Sequence, residues 1–342
     1  MRQLSYLGSG RMVVEEVEPP TASAGSVRVR VDSVGVCTSD VYGYGQINDR
    51  RDAVLADGQT LVMGHEPSGV IDQLGPGVTG PDVGTPVAVN PVVGCGRCDR
   101  CAAGLENLCD RRVVVGCVPT SPGGFADVMV VPARQVVELT GAIELELGSL
   151  AEPLSVGAHG VALAAPERAD DVLVIGGGII GIGAALAARR RTDSDVVVLE
   201  PLAGRRDLCM RLGLTAVAPD EILGGGRQFD IALDCVARPE TLAGAIDAVP
   251  PRGVVVLVGI WTDQIPLPVS AVVSRETRIV GSYAYSRSEF ADMVDWLCRR
   301  EVDVSILIEH RVGFDGIVAA FDGYMDGSLT AVRTVLQPAR RA

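Results

Sequence analysis

The chain has 342 residues, 47% of them hydrophobic, with 41 glycines and a formal net charge of -13 from 30 basic and 43 acidic side chains. These figures exclude a small stapled scaffold, a disordered or collagen-like chain and a coiled coil, and the length exceeds the ~250–300 residues at which one core stops growing, so two domains are expected. The acidic excess opposes a non-specific grip on nucleic acid or anionic membrane, and because every basic residue is Arg, lysine Schiff-base, phosphate-loop-lysine and lysine general-base chemistries are excluded as well.

In chain order, Met1 to Val14 is polar, without an apolar core before a small-residue cleavage site, so no signal peptide is read and a cytoplasmic chain is expected. From Ser26 to Asp72 and from Val87 to Val131, short β-branched runs (VRVRVDSVGV, LVMGHEPSGVI, VAVNPVV, FADVMVV) alternate with Gly and Pro clusters. That texture predicts an irregular β-rich domain. Within it, Cys95, Cys98, Cys101 and Cys109 offer four thiols in 15 residues, with two-residue gaps that let successive sulfurs converge on one ion. Four cysteines are the ligand set of a closed structural Zn²⁺ site, and an iron–sulfur cluster takes four thiolates too. In either case the lobe, residues 95–109, bears on stability or assembly rather than on chemistry.

After about Leu150 apolar strands of four to six residues (DVLVIG, VVVLE, FDIALDC, VVVLVG) alternate with Ala- and Leu-rich helical segments. This predicts a parallel sheet with crossover helices. The most apolar stretch, Val172 to Ala188, carries glycines at 176, 177, 178, 181 and 183 and reads as no membrane span. Instead, Gly176, Gly178 and Gly181 lie between a strand and a helix: the first permits a tight turn, the second lets the backbone approach a pyrophosphate, and the third allows the helix to pack on the sheet. Glu200, 19 residues past Gly181, ends the strand VVVLE, where its carboxylate accepts from a ribose 2′-hydroxyl and repels a 2′-phosphate. NAD is favoured, with NADP kept open by Arg205 and Arg206 nearby.

Three further signals lie apart in sequence: Gly35-Val-Cys37-Thr-Ser39-Asp40, Gly64-His65-Glu66-Pro-Ser-Gly69 and Ala151-Glu152-Pro153. Thiolate, imidazole and carboxylate together match a zinc with an open position, whereas singly each fits a small core cysteine, a satisfied histidine or a helix-start carboxylate. His159 and His310 read as structural, and Cys117, Cys209, Cys235 and Cys298, lacking metal-like spacing, as ordinary buried thiols.

With GVCTSD, GHEPSG, the four-cysteine lobe, AEPLSV and the glycine fingerprint, the chain resembles, over nearly its whole length, the zinc-dependent medium-chain dehydrogenase/reductase (alcohol dehydrogenase) superfamily, in its polyol (sorbitol-type) and threonine dehydrogenase branch. The resemblance implies an α/β protein: a GroES-like β-rich catalytic domain of residues 1–152 and 285–342 interrupted by a Rossmann doubly wound domain of residues 153–284. It implies Cys37, His65 and either Glu66 or Glu152 as catalytic zinc ligands, Ser39 as the hydroxyl that relays the alcohol proton, and Asp40 as the partner orienting His65. It places Ile180, Val258 and Ile260 beside the nicotinamide, Arg205 near the adenosine ribose and Arg333 at the pyrophosphate. Two zincs per chain, a small-molecule alcohol or ketone substrate, and a homodimer or homotetramer follow by analogy.

The chain also departs from the family. Tyr42 stands where relatives often carry the His that completes the proton relay, Thr85 where an Asp is usual, and Ala237 where a Gly is common. The polar stretch from Tyr42 to Gln59 matches no relative and is expected to shape the substrate mouth, favouring a hydroxylated substrate over a plain alcohol. The expected function is hydride transfer between NAD(H) and a secondary hydroxyl or ketone of a polyol, sugar or amino-cyclitol-like compound. The alternatives are a threonine-type amino-alcohol dehydrogenase and a non-catalytic NAD- and zinc-binding relative; the latter is disfavoured by the presence of Cys37, Ser39 and His65.

Overall fold

The computed structural model of the chain describes residues 1–45, 51–56, 58–260 and 264–340, arranged as two units: Met1–Glu152 with Ser286–Ala342, and Pro153–Tyr285. In the first unit, alternation of apolar and polar residues along Ser26–Gly35 turns Val27, Val29, Val31 and Val34 into the core while Arg30 stays outside. This ten-residue strand is the spine of a seven-stranded sheet in the order Val136–Glu138, Pro86–Val89, Pro67–Leu74, Ser26–Gly35, Arg333–Leu336, Ile308–Val312, with Val128–Pro132 also paired to the spine. The sheet closes over Ile71, Val87, Phe125, Met129, Ile317 and Phe321, an apolar cluster that includes residues from both ends of the chain.

Two registers of that sheet decide the chemistry of the unit. Val34 pairs with Pro67 in antiparallel fashion, so the end of the spine, Gly35 to Cys37, runs alongside His65 and Glu66. Val335 pairs with Gly35 on the other side, and Val36 N–H donates to Thr334 O at 2.9 Å, which brings Arg333 to the same end. Gly35 is required there because a Cβ would collide with the Glu66 carboxylate.

The second unit is a six-stranded, all-parallel sheet in the order Thr215–Val217, Val196–Leu199, Val172–Ile175, Ile231–Asp234, Val254–Leu257, Arg278–Gly281. Counted along the chain this is 3-2-1-4-5-6, the doubly wound dinucleotide-binding order, whose direction reverses between Val172–Ile175 and Ile231–Asp234. The central strands are buried on both faces, which explains their unbroken Val, Leu and Ile runs. Helix Ile179–Arg189 packs against helix Ala151–Ala164 through Gly157 and Gly183, where any side chain would meet the opposing backbone. Among the described residues no helix is long and apolar enough to cross a membrane.

Candidate metal and dinucleotide sites

Cys37 ends the extended segment and caps helix Thr38–Tyr44, whose first turn carries Ser39 and the wholly buried Asp40. The sheet register brings His65 and Glu66 to this helix start, so that ligand atoms of Cys37, His65 and Glu66 lie within 4.8 Å of one another. Ser39 Oγ donates to Cys37 Sγ at 3.3 Å, and His65 Nδ1 sits 3.4 Å from Asp40 Oδ2, so Nε2 is the ring nitrogen that would serve a metal. Burial works against charge on His65, but Asp40 and then Cys37 outweigh it and hold its pKa well above the usual value. Burial likewise opposes ionisation of Asp40, and His65 followed by Arg51 overcomes it, keeping that carboxyl below its usual range.

Glu66 is 1% exposed: its Oε2 accepts from Arg333 at 2.6 Å, while Oε1 has no hydrogen-bond partner among the described residues. A buried carboxylate oxygen left over beside a thiol and an imidazole is an unmet demand for positive charge, and a divalent cation with an affinity for S, N and O donors meets it. The residues present therefore fit zinc. Glu152, buried at the first turn of helix Ala151–Ala164, lies outside this cluster, although its charge reaches Arg333.

Cys95, Cys98, Cys101 and Cys109 form the second cluster, with sulfur separations of 3.6 Å (Cys98–Cys101), 3.7 Å (Cys98–Cys109) and 4.0 Å (Cys95–Cys101). Four thiolates at ~2.3 Å from one tetrahedral ion stand ~3.8 Å apart, so these spacings fit a single zinc and leave no room for a multi-iron cluster between them.

In the second unit Gly176 has φ +104°, a left-handed conformation suited to glycine, and a Cβ at Gly181 would strike the Gly176 carbonyl. Gly178 caps helix Ile179–Arg189, with open space where its side chain would be. Such a helix start, with free N–H groups and no Cβ in the way, fits a dinucleotide pyrophosphate. Glu200, 3% exposed, accepts from Gly177 N–H at 2.8 Å and Leu202 N–H at 2.9 Å, which aligns its carboxylate with the glycine turn. Ile180 lies in the first turn of the helix, Val258 is buried, Ile260 is 54% exposed, and Arg205 is half-buried in helix Ala203–Arg211.

Arg333, mapped to the pyrophosphate by resemblance, is 2% exposed and donates to Glu66 and to Val36 O at 2.8 Å; the pairing of its strand with Ser26–Gly35 holds it there. Cys117, Cys235 and Cys298 are partly exposed rather than buried thiols; of the four only Cys209 is fully inside. His159 is buried, while His310 is half-exposed on a strand, 3.4 Å from Thr334 Oγ1. Ala237 adopts φ +67°, the conformation for which a glycine is usual. Tyr42 is half-buried on the helix of Ser39, and the stretch from Tyr42 to Gln59 lies partly outside the described residues.

Sequence reasoning missed Asp234, which ends its strand at 0% exposure and accepts from Val236 N–H (2.9 Å), Ala237 N–H (3.1 Å) and Thr241 Oγ1 (3.0 Å). It shapes the turn beside the point where strand order reverses. An acidic residue closing an apolar strand, seven residues before a Thr, was the available signal.

Two profiles match the chain: the alcohol dehydrogenase GroES-like domain over residues 23–141 and zinc-binding dehydrogenase over residues 180–299. The chain is 31% identical to L-idonate 5-dehydrogenase of Vitis vinifera, covering 90% of this chain and 86% of that one, and 30% identical to sorbitol dehydrogenase of Arabidopsis thaliana, covering 90% and 87%. An Escherichia coli CFT073 alcohol dehydrogenase (rspB) crystallised with NADH superposes with a TM-score of 0.88 at 27% identity, covering 98% of this chain and 99% of that one. Fold, ligand clusters and similarity agree: the chain belongs to the zinc-dependent medium-chain dehydrogenase/reductase family, in its polyol branch. It is an oxidoreductase acting on CH–OH groups, with zinc and NAD(P) as its cofactors.

Proposed function

We propose that the chain transfers hydride between NAD(H) and a secondary hydroxyl or ketone of a polyol, sugar or amino-cyclitol-like compound. The observation that carries this reading is the Cys37, His65 and Glu66 cluster with its unsatisfied buried carboxylate oxygen. A carboxylate in place of a second sulfur, the polar stretch after Tyr42, and relatives named for sorbitol and L-idonate all favour a polyhydroxylated substrate.

Zinc at this cluster supplies Lewis acidity to the substrate oxygen, and NAD(H) accepts or delivers the hydride. Cys37, His65 and Glu66 would hold the ion. Asp40 orients His65 through Nδ1. Ser39 Oγ takes the hydroxyl proton during oxidation and passes it outward, by Tyr42 and water in the absence of a relay histidine; in reduction it returns that proton. The alcohol thus loses one proton to solvent and one hydride to the cofactor, leaving the ketone.

Glu200 supports NAD over NADP, since a carboxylate aligned with the glycine turn accepts from a ribose hydroxyl and repels a phosphate. The four-cysteine lobe takes a second, structural zinc. By family analogy the enzyme is a cytoplasmic homodimer or homotetramer. Steady-state NADH formation tests the substrate class: kcat/KM at least tenfold higher for polyols or cyclitols than for simple secondary alcohols is expected, and a preference for 2-butanol or for an amino alcohol would refute it.

A further inference from the structure

Arg51 lies in the polar stretch after Tyr42, yet it is only 7% exposed. Its Nη2 donates to Asp40 Oδ1 at 2.7 Å. Three separate elements hold it there. Gly43, on the helix of Ser39 and Asp40, leaves the space that the Arg51 stem fills, since a Cβ would collide with Arg51 Cγ. Next along the chain, Asp52 is tied outward, accepting from Tyr6 Oη at 2.6 Å and from Ser9 N–H at 3.3 Å. Tyr6 is itself wholly buried, within 3.2 Å of the Gly43 carbonyl, so the Arg51-Asp52 pair is pinned with the arginine inward.

Asp40 at 0% exposure needs such a partner. Among the described residues its other oxygen has only the 3.4 Å approach of His65 Nδ1, and a buried carboxylate with that contact alone is costly and free to rotate. The Nη2–H donated to Oδ1 holds that oxygen, and the planar guanidinium keeps a fixed donor direction that a rotating ammonium lacks. The same device recurs at Glu66, where Arg333 occupies one oxygen of a buried carboxylate.

We propose that Arg51 is a positioning residue for the cation site: by occupying Asp40 Oδ1 it aims Oδ2 at His65 Nδ1 and so turns His65 Nε2 toward the ion shared with Cys37 and Glu66. The inference rests on the reading of that cluster as a metal site and adds the residue that sets its geometry.

The test compares wild type, Arg51→Met, which keeps the apolar stem over Gly43, and Arg51→Lys, which keeps the charge without the planar guanidinium. Zinc affinity at the Cys37 cluster is measured by chelator competition with metal counting, and ligand geometry by the visible spectrum of Co²⁺ at that cluster while the four-cysteine lobe retains zinc. Arg51→Met is expected to lose ~10- to 100-fold in affinity with an altered cobalt spectrum, and Arg51→Lys to recover part of the loss. In an Asp40→Asn background, Arg51→Met is expected to change affinity less than twofold further. Wild-type affinity and spectrum in Arg51→Met, even with a lowered Tm, would reduce Arg51 to loop packing, and an undiminished effect in the Asp40→Asn background would show that it does not act through Asp40. Should Arg51→Met fail to fold, Arg51→Lys carries the same comparison: unchanged affinity and spectrum overturn the proposal, and weakened affinity with a shifted spectrum supports it. A wild-type chain taking no metal outside the four-cysteine lobe would overturn the metal reading itself, and the Arg51 role with it.

Discussion

Arg333 Nη1 stands 2.6 Å from Glu66 Oε2, both side chains no more than 2% exposed, and joins the C-terminal strand to the carboxylate of the Cys37 cluster. Arg333→Met strips the buried Glu66 carboxylate of its counter-charge. A loss of about 3–5 kcal/mol in denaturant unfolding is expected for the metal-free chain, with much of it restored in the double variant Arg333→Met/Glu66→Gln. Independent, additive losses would show that the pair is not coupled.

The two cysteine groups answer different questions. Cys37→Ser is expected to lower kcat by on the order of 10²–10³ while folding and NADH binding, followed by fluorescence, stay intact. Cys98→Ser opens a four-thiolate site whose metal binding contributes directly to folding, so its first effect is a lower Tm and the loss of one zinc. Equal activity losses without any difference in Tm would erase the distinction between catalytic and structural clusters.

Glu200→Ala removes the carboxylate held by the Gly177 and Leu202 N–H groups. The ratio of kcat/KM for NAD over NADP is expected to fall at least about tenfold, with Arg205 and Arg206 then free to meet a 2′-phosphate. An unchanged ratio would remove the ribose role.

Metal removal has a pH signature in the lobe. The backbone N–H of Arg97, with help from Cys109 and Arg111, lowers the Cys95 thiol to about 6, whereas burial raises Cys101 to about 11. The thiolate is the nucleophile, so at pH 7 the stripped protein exposes an ionised Cys95 and a protonated Cys101. Iodoacetamide with peptide mapping is expected to label Cys95 first, more slowly as pH falls through 6, and Cys101 last, with zinc protecting both. Uniform labelling of the four would contradict this order.

What the sequence made legible was local. Cys95 to Cys109 and Gly176 to Gly181 carry their geometry in their spacing, because a tetrahedral ion and a tight strand-to-helix turn each need only neighbours in the chain. The doubly wound sheet was legible for a related reason: strands covered on both faces have no polar face to interrupt their Val and Leu runs. Arg333 and Glu66 meet across 267 residues, and only strand register brings them together. That Glu66 lies nearer Cys37 and His65 than Glu152 does was hidden for the same reason, since the two carboxylates are alike in sequence and differ in where sheet and helix carry them. Arg51 was hidden by a stretch whose polarity reads as solvent-facing, although its guanidinium is buried on Asp40.

The most direct test of the account is NADH formation from a polyol by one preparation in three states: as isolated, stripped of the metal of the Cys37 cluster, and reloaded with zinc, with zinc counted in each. Two zincs per chain with activity, one zinc without it, and activity restored with the second zinc is the predicted result. Turnover that persists after the cluster has lost its metal would contradict the assignment of Cys37, His65 and Glu66 to the chemistry.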